Sequence, residues 1–142
     1  LKGDADDGIF TALEAAGLDL WGTRLVVLSA CDTGVGEVKT GEGVYGLRRA
    51  LVLAGSETQV MSLWPVSDEV TRDLMVAYYR DLQQGAARGA ALQQVQLRLL
   101  ARGEQQQSRR QGRDYSHPFY WASFILSGEA ASLPEQTSAA VK

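Results

Sequence analysis

Residues 25–47 read LVVLSACDTGVGEVKTGEGVYGL. Leu25, Val26, Val27 and Leu28 are apolar on consecutive positions, which suits a strand covered on both faces, as in a parallel sheet, and predicts a strand over 24–29. A glycine-rich segment follows. Val44, Leu47, Leu51 and Ala54 then recur at spacings of three, four and three, the stripe of an amphipathic helix, and Gly55 stands where such a helix would stop. The loop between strand and helix holds the chain's only cysteine, Cys31.

Working outward, Gln59–Trp64 is a second apolar run, ended by Pro65, whose fixed φ and missing N–H favour a break. Ser67 is positioned to cap the next helix, with Asp68 and Glu69 in its first turn. There Val70, Leu74, Tyr78 and Leu82 repeat every four residues, and Gly85 closes the segment. A further helix over 87–101 is predicted to bury Ala91, Leu92, Val95 and Leu99. Residues 102–116, rich in Gln, Arg, Gly and Ser, read as a flexible polar loop. A last strand is expected over 121–126, and 129–142 as a disordered tail. Toward the N-terminus, Thr11 and Glu14 have the spacing of a capping box. Strand, helix, strand, two helices, strand is an α/β pattern with a mostly parallel sheet.

Composition narrows the function. With 142 residues, 45 % of them apolar, the chain is one domain's worth of globular protein. A net charge of −3 gives no basic field for nucleic acid or an anionic membrane. No apolar run is long enough to span a bilayer and no signal peptide is evident, so a cytoplasmic location is expected. One cysteine and one histidine, His117, make neither a disulfide framework nor a four-ligand zinc site. No cofactor is expected.

Two motifs could carry chemistry. Gly41-Glu42-Gly43-Val44-Tyr45-Gly46 matches G-x-G-x-x-G, but about ten residues separate it from the preceding strand, whereas the dinucleotide fingerprint turns directly out of one. Nucleotide binding is therefore a minor alternative. Cys31 is open to three readings: a buried packing residue, a redox thiol or a nucleophile. Its position just past a strand, among Ser29, Asp32, Thr33 and Gly34, favours an accessible thiol. A thiolate nucleophile needs a base and oxyanion donors. His117, next to Pro118, reads instead as packing with Phe119, Tyr120 and Trp121, which are expected to be core, as is Trp21.

Five separated motifs, in order, carry a resemblance that covers roughly residues 7–128. They are Leu28-Ser29-Ala30-Cys31-Asp32-Thr33-Gly34, the stretch from Gly41 to Ala50, Ala54-Gly55, the stretch from Ser62 through Trp64 and Pro65 to Asp68, and the stretch from His117 to Phe124. Together they resemble the C-terminal part of a CHAT domain, a caspase-like domain found with tetratricopeptide repeats and related to separase. The resemblance implies a three-layer α/β/α sandwich with a mostly parallel sheet and a cysteine endopeptidase with a Cys–His dyad. Cys31 matches the nucleophile, and Asp32, Thr33 and Gly34 the oxyanion loop. Ser62, Trp64 and Asp68 fall where the substrate pocket would be, Asp68 being also an ordinary first-turn helix carboxylate. The family's histidine belongs to a His-Gly motif on an earlier strand, so the resemblance puts it, with the first strands, upstream of Leu1. The fragment alone is then expected to be inactive. The expected partners are a protein or peptide substrate and a tetratricopeptide-repeat region in the same or another chain. An inactive interaction module of the same fold is the alternative.

Overall fold

The computed structural model describes residues 11–28, 42–65, 67–108 and 115–133. Their elements, in chain order, are α1 (Ala12–Ala16), β1 (Val26–Leu28), α2 (Glu42–Leu53), β2 (Thr58–Ser62), α3 (Asp68–Gln83), α4 (Arg88–Ser108), α5 (Pro118–Trp121) and β3 (Phe124–Gly128). The α/β class expected from the sequence is the class observed. The chain forms two compact units, Leu1–Pro65 with Ser123–Gly128, and Val66–Ala122 with Glu129–Lys142.

The first unit is built on a three-stranded sheet in the order β1-β2-β3. β1 and β2 are parallel, with Leu28 opposite Met61, and β2 and β3 are antiparallel, with Thr58 opposite Gly128. The reversal follows from where the chain re-enters. The Leu63 N–H donates to the Ser123 carbonyl at 2.8 Å, so the returning chain meets β2 at the end it left and runs back along it. All five residues of β2 are buried, as a central strand requires. β1 is only half-buried throughout, against the expectation of a strand covered on both faces. It stands at the edge of the described sheet, paired on one side only.

One face of this sheet is covered by α1 and α2. Thr11 and Glu14 form the expected capping box: the Glu14 N–H donates to the Thr11 hydroxyl and the Thr11 N–H to the Glu14 carboxylate. Ala15, Leu47, Ala50, Leu51 and Met61 form the core there, with Leu20, Val26 and Leu28 against it. α2 ends before Gly55, whose φ of 103° only glycine adopts without strain. Trp21 was expected to pack. Its ring stands against Gly55, where a Cβ would come within 3.1 Å of it, yet 84 % of the residue is exposed because nothing among the described residues covers its other side.

The second unit contains the antiparallel pair α3 and α4 and the short helix α5. The stripe Val70, Leu74, Tyr78 and Leu82 is buried, as is the facing set Ala91, Leu92, Val95 and Leu99. Burying each such leucine stabilises by about 1.5–3 kcal/mol. On their flanks Arg98 pairs with Asp81, and Arg102 with Asp73 at 3.4 Å.

Three expectations change here. α4 runs on to Ser108, through the first seven residues of the predicted polar loop. Gln, Glu and Arg are good helix formers, and Arg102 is held by Asp73 and by the ring of Tyr115, 5.6 Å away. Residues 118–121 form α5, so Trp121 is in a helix and the strand starts only at Phe124. Pro118 at the first helical position is preorganised for that turn. Finally, 129–133 is not free of the fold: the Arg88 Nε donates to the Ala131 carbonyl at 2.9 Å, the Gly89 N–H to the Ala130 carbonyl, and Ala87 bridges to Ser132.

Candidate functional site

Because β1 and β2 are parallel with Leu28 opposite Met61, the chain leaves both strands at the same edge of the sheet. In α/β sheets that edge is where ligands bind and chemistry gathers. Both predicted motifs begin there. Cys31, Asp32, Thr33 and Gly34, which follow β1, lie outside the described residues.

After β2 the site residues can be followed. Ser62 is its last residue, buried and opposite Phe124 of β3. Leu63 and Trp64 lie beyond the strand, where a longer strand had been expected; Trp64 is half-buried. These two candidate pocket residues, Ser62 and Trp64, therefore share one strand end. Asp68 belongs to the second unit, exposed in the first turn of α3 with Glu69. There its carboxylate opposes the positive end of the helix dipole. Ser67 takes the cap position of α3, but its hydroxyl makes no capping bond, and its oxygen is buried with no partner among the described residues.

The chain's one histidine has a local task that the sequence did not announce. His117 precedes α5, and its Nδ1 accepts the Phe119 N–H at 3.1 Å, the role a serine or aspartate usually fills. The residue is exposed rather than packed. Its aromatic neighbours are also less buried than expected: Phe119 is 43 % exposed, and Tyr120 and Trp121 are half-buried. Phe119 and Tyr115 both meet Tyr120 edge to face, at 5.3 and 5.2 Å, and the Trp121 indole N–H donates to the Ser116 carbonyl. A short helix on the surface gives the rings one covered side each.

Among the described residues two ionisable groups depart from their ordinary behaviour, both in the second unit. Burial pushes the Tyr78 phenol up to about 12; the Tyr79 phenol adds to the rise and Arg88 opposes it. The Glu129 carboxyl is held below its usual range, first by the hydrogen bond from the Ala131 N–H and then by that from Ala130. Among the described residues no group of three His, Cys, Asp or Glu could hold a metal ion, and no helix is long and apolar enough to cross a membrane.

The CHAT domain family matches residues 1–129. The chain belongs to the CHAT domain family. This CHAT domain is similar to tetratricopeptide repeat protein 28 of Homo sapiens, 32 % identical over 130 residues, and to that of Mus musculus, 31 % identical over 130 residues. The match takes in 92 % of the CHAT chain but only 5 % of the length of each relative. No solved structure matches it significantly.

Proposed function

We propose that this CHAT domain is the nucleophile-bearing part of a caspase-like cysteine endopeptidase. Cys31 supplies the attacking thiolate, and backbone N–H groups of the loop through Asp32, Thr33 and Gly34 receive the oxyanion. The base is a histidine on a preceding strand of the longer polypeptide. It takes the Cys31 proton as the sulfur bonds to the scissile carbonyl carbon and returns it to the leaving amine; water then hydrolyses the thioester. Ser62 and Trp64 contribute to the pocket for the residue before the cut, and Asp68 serves as the carboxylate that selects a basic substrate side chain. The observation that carries this reading is the parallel pairing of β1 and β2, which opens both motif-bearing loops at one sheet edge.

The test uses the parent polypeptide, including the residues before Leu1, and an electrophilic peptide probe ending in arginine. Labelling at Cys31 is expected, abolished in Cys31→Ala and unchanged in His117→Ala, with the preference for arginine over neutral residues reduced in Asp68→Ala. Labelling no faster than that of a small-molecule thiol would sink the peptidase reading. A second reading then stands, a CHAT domain that binds partner proteins, a tetratricopeptide-repeat region among them, without cleaving them. What favours it is that the chain's only histidine has its Nδ1 engaged in a helix cap.

A further inference from the structure

α3 is apolar on two sides. Val70, Leu74, Tyr78 and Leu82 are buried, while Met75, Tyr79 and Val76 lie about a quarter, a third and a half turn round the helix from them; Val76 is 53 % and Tyr79 45 % exposed. A helix with a second apolar stripe is usually covered on that side too. Arg72, Arg80 and Gln83 flank the stripe, and the six residues together form one open face of α3. Arg72 and Arg80 are eight residues apart, about 12 Å along the axis. Arg72 makes only an exposed contact to Asp73 at 3.3 Å, of a kind that contributes little, and Arg80 has no ion pair among the described residues. Asp73 is shared with Arg102 of α4, 3.4 Å away.

We infer that the outer face of α3, from Arg72 to Gln83, is a docking surface for an amphipathic helix of another protein, one that carries two carboxylates two turns apart around an apolar stripe. Those carboxylates meet Arg72 and Arg80, and the stripe covers Met75, Val76 and Tyr79, as one helix packs along the face of another. Charge complementarity selects an acidic peptide rather than a polyanion. Asp68 and Glu69 stand exposed one turn beyond Arg72, and with a net charge of −3 the chain repels nucleic acid outside these two arginines. The surface is independent of the proposed peptidase chemistry and can be tested without it.

The probe is a fluorescein-labelled synthetic helix with glutamates eight residues apart and leucines three, four and seven residues after the first, titrated into the 142-residue chain. Saturable binding is expected, weakened about tenfold or more by Arg80→Glu and equally by exchanging for lysine the one peptide glutamate that meets Arg80. Combining the two exchanges should restore it. Val76→Glu should abolish binding while circular dichroism stays unchanged. Absence of saturable binding, indifference to Arg80→Glu, or equal binding of a thymidine oligonucleotide would overturn the inference. So would self-association lost in Val76→Glu, which would assign the face to a second copy, or protection of Tyr79 from hydroxyl radicals in the longer parent polypeptide without a partner.

Discussion

The Tyr78 residue is fully buried, and among the described residues its hydroxyl oxygen has no hydrogen-bond partner. Leaving a buried polar group unpaired costs about 1–3 kcal/mol. Tyr78→Phe is therefore expected to fold at least as stably at neutral pH, gaining up to about 1 kcal/mol in urea denaturation; a loss of that size would show that the hydroxyl is satisfied after all. The same burial fixes a pH dependence. Below pH 10 folded and unfolded chains both keep the phenol proton, but between 10 and about 12 only the unfolded chain releases it, so stability falls as pH rises through that window. Tyr78→Phe should flatten this alkaline loss. Single residues also show what the sequence conceals. Histidine has no special place among sequence signals for helix starts, so the cap made by His117 could be read only once Phe119 was known to turn back on it.

Helices announced themselves where burial alone decides. The four-residue stripe of α3 and the set Ala91, Leu92, Val95 and Leu99 were legible because each faces apolar neighbours at helical spacing. The last turns of α4 were not, since 102–108 has no apolar pattern and is held by Asp73 and Tyr115, partners distant in sequence. Gly103 reports on that attachment. It is buried where residues 115 and 116 cross α4, and a Cβ there would sit inside the Ser116 backbone nitrogen. Gly103→Ala would raise intrinsic helix propensity by about 1 kcal/mol yet should destabilise by about 1–3 kcal/mol, with a matching fall in thermal midpoint. A stabilised variant would show that the crossing is loose. Strand limits were misread for a similar reason. Trp121 and Trp64 carry strand-like side chains, but Pro118 and Pro65 beside them set the local backbone. Of the candidate site, the motif order around Cys31 and Ser62 was legible. The parallel pairing that brings the two strand ends together followed from the α/β order of elements, whereas the register, Leu28 opposite Met61, did not, because register depends on residues far apart in the chain.

At the scale of the whole molecule, the first unit is assembled from two stretches of chain, with all of Val66–Ala122 between them. The α3–α4 hairpin needs only neighbours in sequence, while β3 must find β2 across that interval, and closing long loops slows folding. On refolding, pulse-labelled amide exchange should therefore protect Leu74, Tyr78 and Val95 before Val60, Met61 and Leu126. Simultaneous protection of both groups would mean that the units fold as one. During biosynthesis the order is imposed rather than chosen. When β2 leaves the ribosome, the strand that completes its ladder has yet to be translated, and Thr58 cannot meet Gly128 until all of Val66–Ala122 between them has been made. For that interval the most buried of the described strands is a nascent edge, open to chaperones or to a neighbouring polypeptide.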